Sequence, residues 1–130
     1  MAGAVKNQKI RCFFAESYLQ KPNKMLVRHF IHSKQSGGFW AHVRDLSQRE
    51  RLANEAVGHE VAISVQMGYN PAVLRLWESL IIIDERGATY KMKEKPDEYA
   101  YDKGDIKFTA YAFRDKNTYE EDVYEQHYSC

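Results

Sequence analysis

The chain has 130 residues and a mass of 15.2 kDa, enough for one self-supporting core that buries about two thirds of the unfolded surface, and too little for two. Hydrophobic residues make up 44% and charged residues 28%, which excludes an acidic disordered chain. Seven Gly and three Pro exclude a collagen-like or low-complexity one.

The net charge of +1 conceals an asymmetry. Residues 1–51 hold ten Lys/Arg against three Asp/Glu, and residues 52–130 hold nine against fifteen. A chain that coats DNA is basic throughout, because its affinity comes from neutralising phosphates. A dipolar chain instead suits a surface that meets DNA on one side, or a subunit whose basic patch meets a neighbour's acidic one. The plain alternative is two solvated faces without a partner. The longest apolar run, Leu80-Ile81-Ile82-Ile83, is far below a membrane span. Met1 to Asn7 lacks the apolar stretch of a signal peptide, so the expected compartment is the cytoplasm and no membrane partner is expected. Cys12 and Cys130 are then reduced thiols, too few for a disulfide framework.

In chain order, Ile10–Phe14 and Leu26–His32 are weak strand candidates and Phe39–Asp45 a better one. Ser47-Gln48-Arg49-Glu50 fits a capping box, with Leu52, Ala53, Ala56 and Val57 at helical spacing before Gly58. Arg49 and Arg51 oppose the dipole of such a helix, so residues 46–58 are expected as a short helix or a mobile arm. From Val61 to Met67 the odd positions are apolar, the period of a half-buried strand. Gly68-Tyr69-Asn70-Pro71 reads as a turn. Leu80–Ile83 is uniformly apolar, so it is expected to be a strand buried on both faces. Asp84-Glu85-Arg86-Gly87 then turns the chain into Ala88–Lys93, making a hairpin with Tyr90 and Met92 inward. Lys95-Pro96-Asp97 and Asp102-Lys103-Gly104-Asp105 bracket a polar excursion before the last strand, Ile106–Phe113. The fold class expected is mainly β: a small barrel of about five to seven strands over residues 1–113, with an acidic, Tyr-bearing tail at 114–130 that is flexible unless a partner orders it.

Chemistry-bearing motifs are scarce. His29 and His32 are three apart, but in an extended segment they point to opposite faces, and no Cys or carboxylate cluster completes a metal site. His42, His59 and His127 are scattered. No phosphate loop, nucleophile elbow or His-Glu-x-x-His helix occurs. The acid pairs Asp84-Glu85 and Asp97-Glu98 sit in turns, where solvated carboxylates belong. The expectation is a protein without catalytic residues, metal or cofactor. Among the aromatics, Trp40, Tyr90 and Phe108 lie on strand faces expected to point inward. Tyr99, Tyr101, Tyr119, Tyr124 and Tyr128 fall in polar stretches, where such rings suit a protein–protein interface.

The run Trp40-Ala41-His42-Val43-Arg44-Asp45-Leu46-Ser47-Gln48-Arg49-Glu50 resembles the tailed-bacteriophage head–tail joining family, the head closure or stopper proteins. Members carry a Trp-Ala-x-Val strand running into a Leu-Ser-x-Arg-Glu segment. Trp40, Ala41, Val43, Leu46, Ser47, Arg49 and Glu50 match it. Gly87 and Tyr90 match the family's hairpin exit, and the likeness extends over residues 39–113. Met92 stands where the family often has an aliphatic residue, and residues 1–38 match poorly.

The resemblance implies a small β-barrel that assembles with copies of itself into a ring below the portal, in the virion neck, after assembly in the host cytoplasm. Its partners would be the portal or adaptor proteins, the tail-completion or tail-tube proteins, and packaged double-stranded DNA in the channel. Arg44, Arg49 and Arg51, three guanidiniums within eight residues, are the candidates for the channel or portal side. Tyr99, Tyr101, Tyr119 and Tyr124 are the candidates for the tail or subunit interface. Two other functions fit the residues: a tail-completion protein, and a single-stranded nucleic-acid-binding barrel in which exposed rings beside Lys and Arg stack bases.

Overall fold

A computed structural model describes residues 6–18, 25–46, 61–99 and 104–125. Among them are nine strands and one helix: β1 (Gln8–Tyr18), β2 (Met25–Phe30), β3 (Phe39–Asp45), β4 (Ala62–Gly68), α1 (Pro71–Leu76), β5 (Ile81–Ile83), β6 (Thr89–Met92), β7 (Asp97–Tyr99), β8 (Asp105–Ala112) and β9 (Glu121–Tyr124). Each of the seven segments expected to be strands is one. Six strands close into a barrel in the order β1-β3-β4-β8-β6-β5, with β5 returning to β1, and every pair in the ring is antiparallel. Closure removes the free edges that an open sheet of this composition would expose.

β1 is long enough to serve two structures. Its first half pairs with β3 and β5 in the barrel, and its second half pairs with β2 from Phe13↔Phe30 to Tyr18↔Met25. β2 carries β9 on its far side in parallel, from Val27↔Glu121 to Phe30↔Tyr124. Residues 121–124, expected to belong to a separate tail, therefore rejoin the sheet. β7 is a short addition to the start of β8.

Period-two patterning sorts the side chains. Ile10 and Cys12 of β1, Ala41 of β3, Ile63, Val65 and Met67 of β4, Ile82 of β5, Tyr90 and Met92 of β6, and Ile106, Phe108 and Ala110 of β8 share one core, joined by Leu80. The Cys12 thiol lies in it, and burial pushes its pKa up to about 12, so it stays protonated and inert. β5 is buried on both faces, as its uniform apolar run requires. Leu80 and Ile82 enter the barrel core, while Ile81 and Ile83 join Phe13 and Phe30 in a second cluster outside it. Phe113, Tyr119 and Tyr124 cover that second cluster.

Two local expectations are corrected. Gly68-Tyr69-Asn70-Pro71 is not simply a turn, because it launches α1. The Asn70 side chain accepts from the Ala72 and Val73 amides, and Pro71 occupies the first helical turn, where its missing N–H costs nothing. Val73 is fully buried in the main core, against which Leu74, Leu76 and Trp77 also pack. The second correction concerns Asp84, which is buried rather than solvated. Its Oδ1 accepts from the Arg86 and Ala88 amides, both at 2.9 Å, and its Oδ2 accepts from the Tyr90 hydroxyl at 3.0 Å. Burial first, and that hydrogen bond second, push the Tyr90 pKa up to about 12. With Gly87 at φ 86°, the carboxylate closes the β5–β6 turn from inside.

The β1–β3 seam is tight at its start. The Asn7 amide donates to the Val43 carbonyl and accepts from the Val43 N–H, extending the ladder with a side chain. Gly38, at φ 136°, lies so close to β1 that a Cβ there would collide with the Ile10 carbonyl oxygen. Gly38→Ala is therefore expected to destabilise by about 3 kcal/mol, from backbone collision added to a disfavoured φ. Gly87→Ala, whose Cβ would meet open space, should cost only about 1 kcal/mol. Equilibrium denaturation of both variants checks the order.

Candidate functional site

The familiar β3 motif divides between inside and outside. Ala41 is fully buried and Val43 packs on the main core, whereas Trp40 projects outward with 57% of its surface exposed. This corrects the expectation that its ring points inward. Alternation forces the result: Ala41 faces the core, so its neighbours cannot. Lys9 of β1, the register partner of Trp40, holds its ammonium 5.2 Å from the ring centroid. Arg44 lies further along the same outer face and is exposed. Leu46 is buried with Ala62 and Tyr111 in a third small cluster. Ser47, Arg49, Glu50 and Arg51, and with them the helix or arm expected over 46–58, lie outside the described residues beyond Leu46. Gly87 and Tyr90 take the hairpin positions described above, and both are structural there.

A second surface is built where β1, β2 and β9 run side by side. On its outer face lie Arg11 and Phe13 of β1, Arg28 and Phe30 of β2, and Asp122 and Tyr124 of β9. Arg28 and Asp122 are register partners, joined by a forked pair at 2.7 and 2.9 Å. The Arg28 guanidinium also lies 5.3–5.8 Å from the centroids of Phe13, Phe30 and Tyr119. Its hydrogen bond to Asp122 raises its pKa further, so the charge is permanent. Tyr124 stacks on Phe30 at 5.0 Å, and Tyr119 meets Phe13 edge-on at 5.5 Å. The Tyr119 hydroxyl donates to Asp115 at 2.7 Å. Of the four tyrosines picked from sequence, Tyr119 and Tyr124 thus come together and pack within this chain. Tyr99 lies on β7, and Tyr101 is outside the described residues.

His32 lies at the end of this surface. It is 1% exposed, with Phe30, Phe39 and Tyr124 within 5.1–5.7 Å of its ring, and neither ring nitrogen has a hydrogen-bond partner among the described residues. Its carbonyl accepts from the Glu125 N–H, anchoring the end of β9. Desolvation, helped by the charges of Arg11 and Lys9, pushes its pKa down to about 4. His29 stacks on Phe14 and pairs with Glu16 at 3.0 Å. The two histidines serve separate local structures, and among the described residues no group of three His, Cys, Asp or Glu could hold a metal ion.

Sequence reasoning missed Arg11, Arg28 and Asp122, and weighed His32 only as a metal ligand beside His29, because each becomes notable only through a partner distant in sequence. One signal was available: an apolar run too long for one face required a cover outside the barrel. No protein-family model matches the sequence, and the curated proteins contain no match to it. Among the described residues no helix is long and apolar enough to cross a membrane.

The state of His32 gives a pH dependence with a definite sign. Between about 6.5 and about 4 the unfolded chain takes up a proton that the folded chain refuses. Stability therefore falls as pH drops through that window, by on the order of 3 kcal/mol in all. His32→Phe, an apolar ring of similar shape, should flatten this part of the profile, as followed by urea unfolding at stepped pH.

Proposed function

We propose that this chain is a structural protein of the tailed-phage neck. Copies form a ring at the head–tail connector, close the packaged head, retain its DNA and dock the tail. The support is the match within residues 40–50 and of Gly87 and Tyr90 to the head–tail joining pattern, carried on a closed barrel. The observation that carries the reading is Trp40. A large ring stands outside the barrel on the strand that leads into Leu46 and the Arg49–Arg51 segment. A Trp left exposed near the start of a barrel strand is the kind of anchor that protein interfaces bury. Ala41 and Val43 hold it there by filling the core beneath.

In this reading the ring is built from this chain alone. Portal or adaptor proteins lie on one side, tail-completion or tail-tube proteins on the other, and double-stranded DNA occupies the channel. Arg44, Arg49 and Arg51 face the channel or the portal, where guanidiniums meet phosphate or acidic side chains. The protein makes no bonds, and its work is contact. It is assembled in the host cytoplasm and ends in the virion.

The test is complementation of an infection that lacks the wild-type chain. Trp40→Ala should leave the unfolding midpoint nearly unchanged, because the side chain is mostly exposed, and reduce tail-bearing particles at least tenfold. Unchanged particle yield removes Trp40 from the interface. Charge reversal at Arg44, Arg49 and Arg51 together should leave a folded protein but give heads that lose their DNA. Full genome retention overturns the assignment of those arginines.

A second reading rests on the cation beside Trp40. Lys9 over an exposed indole also suits stacking of an unpaired base, as in single-stranded nucleic-acid-binding barrels. That reading requires salt-dependent binding of oligonucleotides by the isolated protein, lost in Trp40→Ala.

A further inference from the structure

We propose that β9 is an exchange arm, and that the groove it fills on β2 is the docking site for β9 of a second copy of this chain. This deepens the ring reading and rests on it, because it names the segment that links one subunit to the next.

The groove is built for one kind of strand. Its floor is Phe13, Phe30, Ile81 and Ile83, and Arg28 stands at its rim. It accepts an acidic residue opposite Arg28, an aromatic ring two positions on over Phe30, and a second ring on Phe13. Asp122, Tyr124 and Tyr119 satisfy those demands, so the complementary peptide is encoded in this chain. The floor is too apolar to be left in water. An arm that leaves must be replaced by one of the same chemistry, and other copies supply it without any new contact.

Three features make the arm separable. β9 pairs with β2 alone, and its ladder is the one parallel pairing among the described strands, added outside the closed barrel. Its backbone hydrogen bonds to barrel strands end at Phe113, whose N–H donates to the Thr89 carbonyl and whose carbonyl accepts from the Thr89 hydroxyl, and beyond it the Glu120 and Glu125 N–H groups donate to the Leu26 and His32 carbonyls. Residues 114–120 between Phe113 and β9 belong to no strand. Their curl is held by Asp115, which accepts from the Asn117 amide and from the Tyr119 hydroxyl of the arm itself. With the Asp115 contacts released, residues 114–118 extend up to about 18 Å before Tyr119 takes its place in a groove, the length of chain available for reaching a neighbouring copy. Because the arm of one copy enters the β2 groove of the next, the contact is head-to-tail, and it closes into a ring when the rotation permits.

Cysteine pairing tests the exchange in the full chain. His29 and Val123 are register partners across the β2–β9 ladder, close enough for a disulfide. In a Cys130→Ser background, with Cys12 buried, single variants His29→Cys and Val123→Cys are mixed and oxidised, and the double variant serves as reference. Sedimentation of the unmodified chain records the assembly state. The expected result is a two-chain disulfide product in the mixture, on the order of half of the material, and multi-chain products from the double variant. The inference is overturned if the double variant closes only on itself and the mixture stays single-chain. It is equally overturned if the double variant forms no bond, since the register would then be wrong. A ring by sedimentation with bonds only within chains removes the exchange and keeps the ring. Reciprocal two-chain assemblies and nothing larger uphold the exchange and remove the ring.

Discussion

The wall formed by β1 and β5 is apolar on both sides, and much of the molecule follows from having to cover the second side. Inside the barrel, Ile10, Cys12 and Ile82 belong to the main core. Outside it, Phe13, Ile81 and Ile83 present a face that water would penalise. A six-stranded barrel offers no layer of its own for that purpose. The chain supplies one by prolonging β1 beyond the ring, adding β2, and bringing the C-terminal residues back as β9. The acidic segment after Phe113 is therefore part of the fold, although its composition reads as a solvated tail.

Charge and aromatic surface work together in that cover. An arginine beside three rings carries a permanent charge that needs a partner when half-buried, and Asp122 supplies it in a two-point geometry that a lysine could not reproduce. The same surface holds a buried imidazole without a hydrogen bond, so the end of β9 depends on His32 staying neutral. Packing thus exposes β9, on the outside of this surface, to the charge state of His32. That places an adjustable element on the outside of a barrel whose interior is almost wholly apolar.

The proposed work of the protein, holding a ring between head and tail, asks for rigid presentation more than for chemistry. The barrel provides it at Trp40, whose exposure is a consequence of Ala41 and Val43 facing inward. It provides it again at the β2 groove, whose shape is set by two ladders at once. Buried polar groups elsewhere are spent on structure. Asp84 closes a turn, Tyr90 locks that carboxylate in place, and Asp105 accepts from Lys6 and Gln66 to tie the N-terminal residues to β4 and β8.

Much of the fold was legible in the residues because strand formation is local and periodic. Alternation at 61–67, 88–93 and 106–113, the unbroken run at 80–83, and the glycine at 87 each state their conformation without outside help. α1 was hidden by its own start signals, since Asn70-Pro71 serves a turn and a helix N-terminus equally well, and only the burial of Val73 decides between them. Trp40 could not be assigned a side from its type, because a barrel strand's inner face is chosen by its neighbours across the sheet. The groove of Arg28, Phe30, Asp122 and Tyr124 was beyond reach for a related reason. Sequence by itself determined seven of the nine described strands, and that the run 80–83 must be covered on both faces, but neither β7 nor β9. Tertiary structure alone decided which strands adjoin and what does the covering, because contacts such as that of Arg28 with Asp122, 94 positions apart, are recorded in no local pattern.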